Sequence, residues 1–276
     1  MIKDIVVNLS VGAKHDVAAD FAMSVATAFE AHLAAVAFVY EPVVPGSVFD
    51  GTVAGIIQAQ RAEVKKAAQA AIATFEQAAR RNGLSAEPRL LETGLADAGE
   101  LFGRIARRFD LVIVAQAEPD TAGPERLIVE AALFGSGRPV LIVPYIQRAG
   151  LKLDRAMVCW DGSRNAARAI ADALPLLARA KAVEVVIVTG EPGKSDEIAG
   201  ADIGQHLARH GLKVEVERLV ARDIDITSTL LSRAADLGAD LMVMGGYGHS
   251  RLREFVLGGA TRGILASMTV PVLMSH

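Results

Sequence analysis

An internal repeat is the feature of this sequence that most restricts its fold. Phe109–Val114 corresponds to Ala239–Met244, 130 residues later, and in both segments an aspartate precedes an apolar run. Arg138–Val143 corresponds to Val270–Ser275 at a separation of 132 residues, and in both segments a proline precedes an apolar run. A repeat over this distance predicts two homologous domains in tandem.

A third pair of segments marks the end of a helix in each copy. Residues 77–84 and 205–212 are 128 residues apart, and both are helix-like runs whose second-last residue is glycine. Glycine readily adopts the left-handed conformation that closes a helix. The 276 residues suit two domains better than one core. We place the domains at residues 1–147 and 152–276.

Charge and hydropathy exclude several classes of partner. The formal net charge is −3 and there is no basic block, so we expect no nucleic-acid partner. Apolar runs stay well below the roughly 18 consecutive residues that a membrane-spanning helix needs. Asp4 lies where a signal peptide would have its apolar stretch. We therefore expect a cytoplasmic protein without membrane contact. The single cysteine, Cys159, excludes an internal disulfide.

Each half alternates between strand-like and helix-like segments. The strand-like runs, such as Val183–Val188, are nearly continuously apolar, as is typical of parallel strands covered by helices on both faces. We predict an α/β fold of two tandem doubly wound, Rossmann-like domains, each with a five-stranded, mainly parallel sheet flanked by helices. The predicted strands lie near residues 4–9, 33–39, 87–92, 111–116, 139–143, 155–160, 183–189, 213–220, 241–245 and 271–275. The predicted helices lie near residues 16–30, 53–82, 96–108, 125–135, 164–180, 195–210, 225–237 and 258–267. The segment from Glu41 to Gly55 enlarges the first domain as a lid, an interaction loop or a plain insertion.

Glycines surround the start of the last predicted helix. Gly245, Gly246 and Gly248 follow a strand-like run, and Gly258 and Gly259 come after nine further residues. Glycine lets main-chain N–H groups approach an anion, and a helix N-terminus presents N–H groups without intrahelical partners. A nearby hydroxyl adds a further donor. The pattern indicates a nucleotide site. Its candidate residues are Met244, Gly245, Gly248, His249, Gly258, Gly259, Ala260 and Thr261.

The spacing Gly245-x2-Gly248-x9-Gly258 resembles the glycine signature of the universal stress protein family, whose nucleotide-binding members carry Ser or Thr directly after the last glycine. Gly259 departs from that pattern and removes one hydroxyl, whereas Thr261 matches a second phosphate-contacting position. The resemblance implies that the second domain binds ATP or a related adenine nucleotide, with or without Mg²⁺. It also implies a regulatory role in the stress response, exerted on an unknown protein partner.

Further candidate residues follow other strands of the second domain. Cys159, Trp160 and Asp161 end the first strand, and ligands of open sheets lie beyond the carboxyl ends of strands, so Asp161 should converge with the glycine loop. By the resemblance, Asp161 accepts hydrogen bonds from ribose or adenine, and Val188 lines the adenine pocket. Asp161 is alternatively a plain helix cap, Trp160 either stacks on a base or fills core, and Val188 is equally explained as a core residue.

Charged residues near the loop have two interpretations each. His249 follows the last glycine of the first cluster, where it reaches a terminal phosphate or lies on the loop surface. Three arginines either neutralise phosphate charge or are solvated, and they are Arg251, Arg253 and Arg262. For Arg253, an ion pair with Glu254 is a further alternative. No recognisable nucleophile motif and no Gly-x4-Gly-Lys-Ser/Thr sequence is present.

The first domain lacks these features. Glu118, Pro119 and Asp120 stand in place of glycines, and Ser10 stands where the second domain has Asp161. Acidic side chains and a missing N–H disfavour a polyphosphate, so we expect one nucleotide per chain, in the second domain.

Three functions fit the sequence: a nucleotide-binding regulator, a slow ATP hydrolase with the same pocket, and a nucleotide-free interaction protein whose glycines only form a tight turn. A hydrolase needs a general base, and the loop supplies only His249.

Strand pairing predicts how the chain assembles. The last strand of each domain is a short apolar run, at 140–143 and 272–274, and a sheet edge of this kind invites another strand. We expect the two strands to pair within one chain and form a pseudo-dimer, because the tandem arrangement gives a high effective concentration. The free helical faces would then serve a further partner or a homodimer.

Overall fold

The chain forms two compact units. The computed structural model describes residues 1–41, 51–118, 123–189, 197–221, 225–246 and 259–276. The first unit consists of the described residues within Ile2–Ala115 and Ala122–Arg138, and the second of those within Gln116–Thr121 and Pro139–His276, with Met1. The domain boundary that we inferred from the repeat stays a prediction.

The first unit is a parallel sheet with helices packed against it. In its sheet β1 lies between β2 and β4, and β3 pairs with the other side of β2, all in parallel. Helix α1 packs against α2 and α3 against α4, as right-handed crossovers on opposite faces require. Its elements are β1 (Asp4–Asn8), α1 (Val17–Phe29), β2 (His32–Glu41), α2 (Gly51–Arg81), β3 (Ala86–Gly94), α3 (Leu95–Ala106), β4 (Leu111–Ala115) and α4 (Glu125–Gly135).

The second unit repeats this plan with two further strands, β10 and β5. Its strand order is β5-β10-β9-β6-β7-β8, in which β5 is antiparallel to β10 and the other pairs are parallel. Its elements are β5 (Val140–Val143), β6 (Arg155–Cys159), α5 (Arg164–Leu177), β7 (Ala182–Thr189), α6 (Glu197–Arg209), β8 (Val214–Val220), α7 (Ile226–Leu237), β9 (Leu241–Gly245), α8 (Gly259–Ser267) and β10 (Val272–Ser275). The predicted α/β fold is confirmed.

The core of each unit consists of the apolar strand runs. Val6 and Val7 in β1, and Met157 and Val158 in β6, have no solvent exposure, because helices cover both faces of each sheet. Within the described ranges, no helix has both the length and the apolar character that crossing a membrane would take.

Equivalent aspartates confirm the repeat at atomic detail. Asp110 Oδ2 accepts hydrogen bonds from the backbone N–H groups of Lys3 and Asp4 at 2.8 and 3.1 Å. Asp240 Oδ2 accepts from Asp154 and Arg155 in the same way, at 2.9 and 3.1 Å. The predicted glycine caps are present as well, since φ is +66° and +80° at residues 83 and 211.

The predicted pairing of the two final strands is present in the second unit. Leu273 of β10 lies opposite Leu141 of β5 in an antiparallel ladder, and all four residues of β5 are buried. The compact units therefore hold four and six strands, although the sequence repeat distributes five to each half. Residues 42–50, which include most of the segment before α2, lie outside the described ranges.

Candidate functional site

The candidate site lies where the strand order of the second unit reverses. Strand β6 has β7 and then β8 on one side, and β9 and then β10 on the other. Because these strands are parallel, the residues that follow β6 and β9 meet at one edge of the sheet, where ligands of open sheets bind. The structure therefore places Trp160–Ser163 and Gly245–Gly246 at the same edge of the sheet, and that they form one ligand site stays a prediction.

Gly245 is required by packing at this edge. A Cβ at this position would lie 2.5 Å from the backbone N of Ala166 and 2.7 Å from the carbonyl carbon of Asn165. The end of β9 thus lies directly against the first turn of α5, and only glycine permits this approach. The fold alone accounts for this glycine, whether or not a ligand binds beside it.

Asn165 holds the start of the glycine loop and was missed in the sequence analysis. Its Nδ2 donates a hydrogen bond to the carbonyl of Gly246 at 2.5 Å, and the residue is 6% exposed. The N–H of Gly246 donates to the carbonyl of Ser275 at 2.9 Å. Both polar backbone groups of Gly246 are therefore bonded. The available signal was an amide side chain on the same face of α5 as the buried Ala166 and Ala169.

Asp161 stabilises the turn that leads into α5. Its Oδ1 accepts from the N–H of Ser163 at 2.9 Å, while Ser163 Oγ accepts from the N–H of Ala166 at 3.1 Å. The cap of α5 is therefore Ser163, and the alternative that Asp161 caps this helix is wrong. The Asp161 side chain is exposed at the edge where the candidate site lies.

Trp160 and Cys159 lie beside Asp161 with limited exposure. The N–H of Trp160 donates to the carbonyl of Val186 at 2.9 Å, and its half-buried indole has a shielded Nε1 without a partner among the described residues. Burial, and to a smaller extent the charge of Asp161, raises the pKa of the Cys159 thiol to about 12. The thiol is protonated at neutral pH and is no nucleophile. Val188 is half-buried near the end of β7.

Helix α8 provides the second side of the candidate phosphate site. It begins at Gly259, which is exposed and at which a Cβ would meet none of the described residues within 4 Å, and Thr261 in its first turn is 4% exposed. Ala260 lies between them, half-buried, and Arg262 is exposed. The remaining predicted loop residues lie outside the described ranges, and they are Gly248, His249, Arg251, Arg253 and Gly258.

Helix α8 is held against α7 by a close approach. A Cβ at Gly263 would lie 2.5 Å from Thr227 Oγ1, so a larger residue would push the two helices apart. The N-terminus of α7 is capped by Asp225, whose Oδ1 accepts from the N–H of Ser228 at 3.1 Å. Packing in the middle of α8 thus helps to set its position.

The first repeat has different residues at the equivalent positions. The parallel registers of β1 and β6 equate Ser10 with Asp161, and the helix N-caps, Asp16 of α1 and Ser163 of α5, equate Ala18 with Asn165. Gln116 corresponds to Gly246, because its N–H donates to the carbonyl of Val143 at 2.8 Å just as that of Gly246 donates to Ser275. Glu118 is exposed two residues further on.

Comparison with known proteins identifies related chains. The family model described as "Universal stress protein family" matches residues 152–276. A universal stress protein of Synechocystis sp. is 36% identical over 90 residues, which is 32% of this chain and 30% of that relative. The matched segment thus spans less than a third of this curated relative.

Solved structures share the fold across the chain. A universal stress protein from Archaeoglobus fulgidus has a TM-score of 0.72 at 15% identity and covers 99% of this chain and 96% of its own. A universal stress protein in complex with cAMP covers 45% of this chain and 96% of its own, at 20% identity and a TM-score of 0.38. The full-length match extends the shared fold over both repeats.

Proposed function

We propose that this chain belongs to the universal stress protein family and that its second domain, residues 152–276, binds ATP or a related adenine nucleotide. The observation that supports the proposal is that Asp161 and Gly245–Gly246 lie at the carboxyl ends of neighbouring parallel strands, at the reversal of strand order. In this role the protein is a stress-response regulator that reports nucleotide state to a protein partner.

Each part of the site has a chemical role in this proposal. The exposed carboxylate of Asp161 accepts hydrogen bonds from ribose hydroxyls, and the half-buried Val188 and Trp160 line the base. The N–H groups of the first turn of α8 face the phosphates, helped by the hydroxyl of Thr261. The described residues contain no cluster of three side chains able to hold a metal ion, so Mg²⁺ would rely on phosphate oxygens. The proposed contacts are Cys159, Trp160, Asp161, Val188, Met244, Gly245, Gly248, His249, Gly258, Gly259, Ala260 and Thr261.

Titration calorimetry tests whether nucleotide binds and where. ATP, with and without Mg²⁺, and cAMP are titrated into the full chain, and we expect ATP to bind with a stoichiometry near one. Gly248→Glu should abolish ATP binding with an unchanged circular dichroism spectrum, because a carboxylate opposes phosphate and a side chain blocks the backbone. Two equivalent sites per chain, or unchanged affinity in this variant, would contradict the proposed site.

A substitution at Gly259 tests the site by strengthening ATP binding instead of abolishing it. A Cβ at this position would meet none of the described residues within 4 Å, and Gly259→Ser restores the hydroxyl that the family pattern has there. We expect ATP to bind about two- to tenfold more tightly, the range of one net hydrogen bond. Gly259→Ala is the matched control, since it adds a Cβ without a donor. Equal affinity of the two variants would place the phosphates elsewhere.

Measurements on the same proteins also distinguish the two alternative functions, a nucleotide-free interaction protein and an ATP hydrolase. The packing role of Gly245 supports a nucleotide-free interaction protein, and absence of ATP and cAMP binding would establish that alternative. Release of phosphate from ATP, lost in His249→Ala, would establish the hydrolase instead.

A further inference from the structure

We propose that Gln116 is a positioning residue for the nucleotide site of the second domain, because it anchors the far end of α8. This role rests on the proposed function and adds to it a residue from the first sequence repeat. The segment that leaves β4 begins with Gln116 where the one that leaves β9 has Gly246, and the side chain of Gln116 bonds to α8 of the second repeat.

Gln116 is fixed by three hydrogen bonds within the second unit. Its N–H donates to the carbonyl of Val143 at 2.8 Å, and its Nε2 donates to the carbonyl of Leu265 at 2.9 Å. Its Oε1 accepts from the N–H of Tyr145 at 3.3 Å, and the residue is 2% exposed. A flipped amide would set oxygen against oxygen and donor against donor, so only one orientation satisfies both groups.

Leu265 is a position where α8 needs an external donor. The last four carbonyl groups of a helix lack intrahelical partners, and in Gly259–Ser267 this set includes Leu265. Nine residues make a rod of only about 14 Å. A constraint on one end of so short a helix therefore also sets its other end, at Gly259 and Thr261.

The equivalent position in the second repeat shows why a side chain is needed. Gly246 makes the same backbone hydrogen bond as Gln116 but has no side chain with which to reach a helix. The two amides, Asn165 and Gln116, bond to Gly246 and to α8 respectively. Asn165 holds the carbonyl of Gly246 where the loop starts, and Gln116 holds the helix that follows it.

Two nearly isosteric variants test the anchor. Gln116→Met removes both hydrogen bonds of the amide, and Gln116→Glu places a carboxylate against the carbonyl of Leu265 at pH 8. Burial raises the pKa of such a carboxyl group, so acidification to pH 5.5 restores an O–H donor. Ser136→Ala is the control, because it removes the buried hydrogen bond from Ser136 Oγ to the carbonyl of Ala132, in the first unit.

We expect both Gln116 variants to bind ATP about two- to tenfold more weakly than the parent at pH 8, the range of one net hydrogen bond. At pH 5.5 the deficit of Gln116→Glu relative to the parent should shrink to less than about twofold, while that of Gln116→Met persists. Ser136→Ala should bind like the parent at both pH values. If the variants were only less stable, acid would not restore ATP binding in Gln116→Glu while leaving it weak in Gln116→Met.

Amide hydrogen exchange without nucleotide gives an independent readout. Exchange within residues 259–267 should be faster in Gln116→Met than in the parent and unchanged in Ser136→Ala. Equal exchange in all three proteins overturns the anchor. If the parent binds ATP and Gln116→Glu binds equally well at pH 8, the positioning role is wrong while the proposed function stands. If the parent binds no ATP, the proposed function fails and the positioning role fails with it.

Discussion

Two glycines of the candidate site differ in what packing demands of them. At Gly245 a Cβ would collide with the backbone of α5, whereas at Gly259 it would meet no atom of the described residues within 4 Å. The first glycine is therefore part of the packing between β9 and α5. Packing against the described residues does not require the second glycine. The sequence pattern alone could not separate these two cases.

Alanine at each position separates packing from binding. Gly245→Ala should lower the free energy of unfolding by about 1–3 kcal/mol, because strand β9 or helix α5 must shift. Gly259→Ala should change it by less than about 0.5 kcal/mol. Urea unfolding followed by circular dichroism measures both. Equal stability of the two variants would mean that α5 moves away from β9 without cost.

At the scale of elements, a buried ion pair joins α7 to β7. Arg233 Nε and Nη2 donate to the two carboxylate oxygens of Glu184 at 2.7 and 2.6 Å. The Glu184 side chain is 7% exposed and that of Arg233 is 29% exposed. The carboxylate is the more deeply buried partner and depends on its guanidinium for compensation.

Removing Arg233 should lower the free energy of unfolding more than removing the charge of Glu184. Arg233→Met leaves a buried charge and should cost about 2–4 kcal/mol, whereas Glu184→Gln keeps a neutral acceptor and should cost about 1–2 kcal/mol. Thermal unfolding of the two variants and of the double variant gives the coupling between them. A larger loss in Glu184→Gln would contradict the idea that the carboxylate bears the desolvation.

Local pattern predicted the elements but not these partners. Apolar runs and glycine caps placed every strand and helix, because burial on both sheet faces and left-handed caps are properties of short segments. Glu184 interrupts such a run, and its partner lies on another element. Gln116 and Leu265 are 149 residues apart, and no local periodicity relates them. Asn165 looked like an ordinary residue of a helical first turn.

At the scale of the whole molecule, the repeat and the compact units divide the chain differently. Strand β5 comes from the first repeat, yet it lies in the second unit beside β10. The sequence predicted this pairing, because an apolar strand at a sheet edge exposes unpaired N–H and C=O groups that can bond to another strand. The consequence is that β5 should lose its structure together with β10.

Leu273→Pro tests this dependence. Proline removes a ladder donor in β10 at a cost of about 3 kcal/mol or more, so amide exchange should rise about 100-fold at residues 140–143. Leu219→Pro is the matched control, because it lies in β8, which pairs with β7. It should speed exchange at 183–189 and leave 140–143 protected. Unchanged protection of 140–143 in Leu273→Pro would show that β5 is stable without β10.

The order of synthesis determines when the ladder between β5 and β10 can form. About 130 residues separate the two strands along the chain. At roughly 5–20 residues per second, a ribosome needs about 6–26 seconds to make the second strand after the first. Throughout that interval the nascent chain presents β5 without this neighbour. The antiparallel ladder of β5 with β10 can therefore form only after β10 has been made.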